Sequence, residues 1–278
     1  MKNTPFIAVT SQPVPYHADT TAIFNTLCQQ NSNSLLLDSA EIGSKNSLQS
    51  LILINAAVKI TCLGNQVTFR ALNANGKQVL KEIHPVLSQL GTVSAVNFDN
   101  EFSVQFAPLD NQLDEDSKLQ AATIFDGLRV ISNHYQHSST PVFLGGLFAY
   151  DLVANFIPMQ GVELKDDGIH CPDYSFYLAE NLITIDHQSQ QATLKSFCFS
   201  QEEQVEVAKT ALSIAQKLKN IDGVLSIKAA SDEVSTNFED PEFTGIVKAL
   251  KHHINIGDVF QIVPSRRFSL ACPNTLAS

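Results

Sequence analysis

Residues 35–40 read LLLDSA, an apolar run that ends directly in a carboxylate and a hydroxyl, Asp38 and Ser39. Two readings are open. In one, a strand stops there and the polar pair is solvated, the ordinary fate of such side chains. In the other, the pair receives a ligand at the rim of a core. A carboxylate pairs with an α-ammonium group, a hydroxyl hydrogen-bonds either end of an amino acid, and adjacent leucines take up an apolar side chain. Small-molecule pockets have that make-up, mostly apolar with a few placed polar groups.

Other candidates carry less chemistry. His252 and His253 fall on an expected helix, where adjacent residues point about 100° apart and cannot share one ligand. His170 and Cys171, in GIHCPDY, have no acid or third partner nearby in the chain, so a dyad there needs help from elsewhere in space. Asp114, Glu115 and Asp116 precede a helix and favour its positive end. LGGLF lacks the Lys and Ser/Thr of a phosphate-binding loop. The cysteines at 28, 62, 171, 198 and 272 are odd in number, widely spaced and without a C-x-x-C. That pattern suits reduced thiols rather than a disulfide framework or a zinc site.

The elements that must position these residues follow from periodicity. Ile23, Phe24, Leu27 and Cys28 have helical spacing. SLLLDS predicts a buried strand. Alternating Val58, Ile60 and Cys62, then Val67, Phe69 and Ala71 about Gly64-Asn65, predict an antiparallel meander, with Asn75-Gly76 as its next turn. Leu119, Ala122, Phe125, Leu128 and Ile131 predict a helix over 116–135. The paired glycines 145 and 146 inside an apolar run suggest a bend or a close backbone approach. YSFYLAENLITID and QATLKSFCF predict a hairpin around His187-Gln188. Ser200 and Glu203 suit a capping box, ahead of a stripe of Val205, Ala208, Leu212, Ala215 and Leu218. Another helix opens at Asp240-Pro241 and ends at Gly257, its stripe being Phe243, Ile246, Val247, Leu250 and Ile254. DVFQIVPSRRFSL predicts a last strand. Strands and helices mix without βαβ regularity, which favours an α+β fold.

Composition bounds the function. The chain has 278 residues, 44% hydrophobic and 17% charged, enough for one large domain or two smaller ones. A net charge of −10 argues against non-specific nucleic-acid binding, which needs Lys and Arg to displace counterions. The N-terminal apolar run FIAV is too short for a signal peptide, and no run approaches the roughly 18 apolar residues of a membrane helix. A soluble, cytoplasmic protein is expected.

Several stretches together resemble the large subunit (component I) of anthranilate synthase: LLLDSAEIGSKNSLQSLILINAAVKITCLG (35–64), LDEDSKLQAATIFDGLR (113–129), GGLFAYDLVANF (145–156), CPDYSFYLAENLITIDHQ (171–188) and GDVFQIVPSRRFSLACP (257–273). The resemblance runs in order over nearly the whole chain. It implies an α+β fold of antiparallel sheets in a sandwich with flanking helices. It also implies a lyase that converts chorismate and ammonia to anthranilate and pyruvate with Mg2+. Ammonia would come from glutamine through an amidotransferase subunit (component II), and tryptophan would inhibit by feedback. The family pattern after the leucine run is Glu-Ser, part of the tryptophan site, so Ser39 matches the serine and Asp38 replaces the glutamate. Family members are longer, and the half with the chorismate and Mg2+ ligands is expected to be missing. No catalytic residue or metal ligand is therefore expected here. The implied organisation is an N-terminal regulatory region over 1–220, a linker over 221–238 and the start of a chorismate-binding domain over 239–278. Two rivals are a stand-alone tryptophan-binding or amidotransferase-docking module and the aminodeoxychorismate synthase large subunit.

Overall fold

The computed structural model describes residues 4–28, 31–38, 48–97, 100–108, 110, 112–157, 171–221 and 234–270. In chain order the elements are β1 (Ala8–Val14), α1 (Thr20–Cys28), β2 (Leu35–Asp38), β3 (Gln49–Leu63), β4 (Gln66–Ala71), α2 (Ala74–Leu87), β5 (Thr92–Asn97), β6 (Glu101–Gln105), α3 (Glu115–Gln120), α4 (Asp126–His134) and β7 (Leu144–Phe148). There follow a 3-10 turn (Tyr150–Asn155), β8 (Tyr174–Asp186), β9 (Gln191–Cys198), α5 (Gln204–Lys217), a second 3-10 turn (Leu218–Asn220), β10 (Val234–Thr236), α6 (Asp240–Asn255) and β11 (Phe268–Leu270). The chain divides into two compact units, Met1–Gly223 and Val224–Ser278.

Within the first unit, β1 to β9 form one antiparallel sheet in the order β1-β9-β8-β3-β4-β6-β5, with β2 also on β3 and β7 also on β8. Its two longest strands, β3 and β8, pair along nearly their whole length, from Gln49–Asp186 to Cys62–Tyr174. Each exchanges its outer neighbour midway: β3 passes from β2 to β4, and β8 from β7 to β9. The exchange coincides with shifts of register at Leu53, Asn55, Ala56 and Val58. A bulge there bends the strand and frees carbonyls that need donors. Asn31 Nδ2 donates to the Ile54 carbonyl (3.1 Å), Asn73 Nδ2 to that of Ala56 (3.5 Å) and the Leu72 N–H to that of Ala57 (2.9 Å). Two buried clusters result. Ile52, Ile54, Ile183, Ile185 and Leu194 lie under α1 and α5; Val58, Ile60, Val67, Phe69, Phe102 and Leu178 lie with α2 and α4. The α+β class and the antiparallel sheet with flanking helices agree with the expectation.

The predicted hairpins at Gly64-Asn65 and His187-Gln188, and helices α1 and α6, form where the sequence places them. Gly146 explains the paired glycines: a Cβ there would lie 2.1 Å from the Ser175 carbonyl oxygen. Other expectations fail for physical reasons. Asn75-Gly76 is the first turn of α2 and not a hairpin, because Asn73 caps the helix by accepting the Gly76 N–H (2.8 Å). Asn75 is buried, with Nδ2 on Glu180 (2.9 Å) and the Phe197 carbonyl (3.0 Å) and Oδ1 on the Phe199 N–H (2.6 Å). The helix over 116–135 breaks into α3 and α4, where Tyr174 Oη takes the Ile124 carbonyl (2.7 Å). The capping box at Ser200 is not made; α5 begins at Gln204 without a side-chain cap. Its buried stripe is Val207, Ala211, Ile214 and Leu218, leaving Val205 and Leu212 exposed. Both faces carry apolar residues, so periodicity allowed either frame. β2 is partly exposed rather than buried, its Leu37 open to solvent.

The second unit is small. β10 and β11 pair antiparallel. α6 starts at a reciprocal cap between Glu239 and Glu242 and ends before Gly257 (φ 84°). None of its residues is buried. Arg266 stacks between Phe243 and Phe268 and pairs with Asp240 at 2.6 Å. The expected strand over 259–270 shrinks to β11, and Phe260 and Val263 are exposed. Most of the expected linker lies outside the described residues, and Val234–Thr236 within it form β10. No helix among the described residues is long and apolar enough to cross a membrane.

Two predictions follow from the packing of α2. At Gly76 a Cβ would sit 1.9 Å from the Ala57 carbonyl oxygen, so Gly76→Ala must push the helix off the bulge. It should cost about 2–4 kcal/mol, read as a lowered urea midpoint. Glu180 accepts from both Asn73 and Asn75 (2.9 Å each), yet burial, opposed by those two bonds and abetted by the charge of Glu203, holds its carboxyl above the ordinary 4.5. A raised folded value means that its contribution is present at pH below 4.5 and lost as pH rises through the folded value. Glu180→Gln should abolish that part of the pH slope of the urea midpoint, whatever constant offset its extra N–H donors bring.

Candidate functional site

The inner face of the sheet beneath α1 and α5 consists of rows of directly opposed residues. One row is Leu36, Ile52, Ile183 and Leu194; the next is Asp38, Ser50, Ile185, Ala192 and Val14. Aliphatic side chains thus give way to a carboxylate and a hydroxyl at one end of the sheet. Continuing by two residues along β8 and β1 leads to His187 and Tyr16. The side chains of Asp38, Ser50, His187 and Tyr16 form one hydrogen-bonded series.

Its geometry fixes where the protons lie. The Ser50 hydroxyl donates to Asp38 Oδ1, and the Thr20 hydroxyl, from the first turn of α1, donates to Oδ2 at 3.3 Å. Ser50 Oγ also lies 2.7 Å from His187 Nε2, and Tyr16 Oη lies 3.2 Å from Nδ1. A hydroxyl has one proton and a carboxylate only accepts. Ser50 therefore gives its proton to Asp38, and its oxygen accepts from Nε2–H. In the neutral ring Nδ1 then accepts from Tyr16. Every donor in the series points toward Asp38.

Local structure holds each member. Asp19 caps α1 by accepting the Ala22 N–H (2.9 Å), which sets Thr20. The His187 N–H bonds the Leu48 carbonyl (2.9 Å). The turn after β8 is clamped by Asp186, which accepts from the N–H groups of Ser189 and Gln188 at 2.9 Å each; these bonds, Ser189 first, hold its carboxyl below the ordinary range. Ser50 is fully buried and Thr20 nearly so, whereas Asp38 is exposed. A carboxylate has about four acceptor positions, of which the described residues take two, through Ser50 and Thr20.

This arrangement is not a hydrolytic triad. In such a triad the acid holds the histidine and the serine is open to substrate; here the acid holds the serine, and the serine is buried. The site suits recognition of a cationic group instead. Of the two residues picked from the sequence, Asp38 is at its centre, and Ser39 lies outside the described residues. Leu37, at 42% exposure, lies on the opposite face of β2 from Asp38, while Leu35 and Leu36 pack against the two buried clusters. Ser50, Tyr16 and Thr20 escape notice in the sequence, and His187 is read there only as a turn residue. Strand register places Ser50 opposite Asp38, while His187 and Tyr16 follow from the strand ends and Thr20 from the start of α1.

The remaining candidates within the described residues are structural or exposed. Asp114 caps α3 through the Ser117 N–H (2.8 Å), a bond that lowers its carboxyl. His253 pairs with Asp258 on the surface (2.8 Å). His170 lies outside the described residues, and Cys171 is exposed. Burial pushes the Cys28 thiol up to about 11 and, with the charge of Asp173, the Cys62 thiol up to about 12, which leaves them inert. A groove of 270 Å³ beside Thr4, Ile7, Tyr135 and His137 lies apart from Asp38. Its Tyr135 is engaged with Glu82 (2.9 Å), which also accepts from His134 (3.0 Å) and Gln78 (2.8 Å). Burial works to raise the Glu82 carboxyl, but those bonds outweigh it and hold the group below its ordinary value. The cluster pins α4 to α2. Among the described residues no group of three or more His, Cys, Asp or Glu is placed to hold a metal ion.

The family model for chorismate binding enzymes matches residues 80–278. Anthranilate synthase component 1 of Haemophilus influenzae is 87% identical over 273 residues, covering 98% of this chain and 53% of that protein. The protein of the same name from Vibrio cholerae is 42% identical over 100% of this chain and 53% of its own length. That of Vibrio parahaemolyticus is 38% identical over 98% and 50% respectively. The chain spans about half the length of the curated relatives it matches.

Proposed function

Since the chain belongs to the chorismate-binding enzyme family, we propose that it is the N-terminal half of an anthranilate synthase component I and carries that enzyme's effector site. The whole enzyme converts chorismate and ammonia to anthranilate and pyruvate in the cytoplasm, for tryptophan biosynthesis. An amidotransferase subunit, component II, supplies the ammonia from glutamine, and Mg2+ is held by the half beyond residue 278. The regulatory region is residues 1–220, and 239–278 begin the chorismate-binding domain. The effector is tryptophan: Asp38 receives its ammonium group and Ser39 hydrogen-bonds its polar end.

One observation carries the assignment of the site. Asp38 is exposed at a strand end, yet two neutral hydroxyls fix both of its oxygens from the buried side. Such a carboxylate is oriented without being neutralised, as a receptor for an ammonium group requires. Feedback then demands that tryptophan bind two conformations of the whole enzyme unequally, and that chorismate oppose tryptophan in the same measure.

Calorimetric titration of this chain with tryptophan should give saturable heat, lost in Asp38→Asn and in Ser39→Phe. The chain by itself should form no anthranilate from chorismate and ammonia. In a polypeptide that also contains the remaining half, Ser39→Phe should relieve inhibition by tryptophan and leave kcat nearly intact. No heat at millimolar tryptophan, or a collapse of kcat with inhibition preserved, would refute the site assignment.

A further inference from the structure

We propose that Ser50, His187 and Tyr16 are positioning residues for the effector site, relaying a directed series of hydrogen bonds that orients the Asp38 carboxylate for a primary ammonium ligand. This rests on the reading of Asp38 and Ser39 as an amino-acid site and adds to it the residues that make Asp38 a selective receptor.

Ser50 supplies the first argument. It is fully buried in a face otherwise lined by Leu36, Ile52, Ile183 and Ile185, where a hydroxyl costs stability unless bonded and an aliphatic residue would pack better. Its proton goes to Asp38 and its oxygen to His187. A strand-end aspartate serving only solubility has no need of a buried partner. Charge is the second argument. The partners of Asp38 among the described residues are hydroxyls, from Ser50 and Thr20. Lysine or arginine in their place would cancel the charge that a ligand ammonium must meet. The third is the direction of the series. With Tyr16 donating to Nδ1 and Nε2–H donating to Ser50, His187 leaves Ser50 a single choice for its proton, and the carboxylate cannot rotate without breaking a bond in the buried side of the chain. The ring is placed edge-on to Tyr16, with centroids 5.8 Å apart and planes at 75°.

The test is calorimetry with tryptophan on the intact 278-residue chain, comparing the parent with Ser50→Ala, His187→Ala, His187→Gln and Tyr16→Phe, each checked for folding by thermal melting. Loss of a hydrogen bond to a charged group should weaken binding by about tenfold in Ser50→Ala and His187→Ala. His187→Gln, whose amide N–H takes the place of Nε2–H, should restore binding to within about twofold of the parent, even where its melting temperature stays as low as that of the alanine variant. Tyr16→Phe should weaken binding less than either alanine variant. Unchanged affinity in both alanine variants would overturn the proposal, as would a glutamine variant that binds as poorly as alanine. Nitrogen NMR of the His187 ring separates this proposal from the reading beneath it. The parent ring should be the Nε2–H tautomer, and Asp38→Asn should shift its signals. If the parent gives no heat with tryptophan while the ring behaves so, the ligand assignment falls and the positioning role stands. An Nδ1–H ring, or one blind to Asp38→Asn, overturns the positioning role whatever tryptophan does.

Discussion

The pairing of β3 with β8 governs the rest of the first unit. Both strands are long, and both exchange outer neighbours near the bulge at Asn55. A strand has a side-chain period of two, so a slip of one residue would move every side chain to the opposite face. Here a slip would turn Ile52 and Ile54 away from α1 and α5, and each buried aliphatic lost costs about 1.5–3 kcal/mol. The bulge confines the change of phase to one place. Asn31, Asn73 and the Leu72 N–H take up the carbonyls of Ile54, Ala56 and Ala57, so these acceptors at the bend have donors. The same register that sets the aliphatic rows sets Ser50 opposite Asp38 and carries the chain on to His187. Core and candidate site are thus fixed by one set of backbone bonds.

What could be read in the sequence follows from the range of the forces involved. Hairpins at Gly64 and His187 and helices α1 and α6 are local, and their turn residues and periodicity announce them. Asn75-Gly76 announces a turn just as clearly and forms none, because Asn75 finds Glu180, Phe197 and Phe199 about a hundred residues and more along the chain. Those long-range bonds, each worth about 0.5–1.5 kcal/mol, outweigh the local turn preference. The stripe on α5 was misplaced for a different reason: apolar residues occupy two faces, and only contact with the sheet selects Val207, Ala211, Ile214 and Leu218. In the site, Asp38 stood out because it interrupts a leucine run. Ser50 did not, since a serine at the head of a strand is unremarkable until its opposite residue is known. His187 looked like a turn residue, and it is one; its second role depends on a neighbour contributed from Ser50, 137 positions away.

The shorter acid at position 38 fits its surroundings. Opposed residues in an antiparallel pair have Cβ atoms about 4.5–5.5 Å apart, so an aspartate and a serine facing each other meet through one bond each. A glutamate at the same place would carry its carboxylate a methylene further, so its oxygens would not meet the Ser50 hydroxyl in the same geometry. Aspartate also has one fewer side-chain torsion to immobilise. What the shorter side chain lacks in reach it gains in definition, because its two oxygens are fixed by Ser50 and Thr20 within the fold. A receptor already held in its bound form adds less ordering cost to association. Asp38 and the buried Ser50 opposite it thus account for each other: the serine needs an acceptor, and the carboxylate gains a donor that leaves its charge intact.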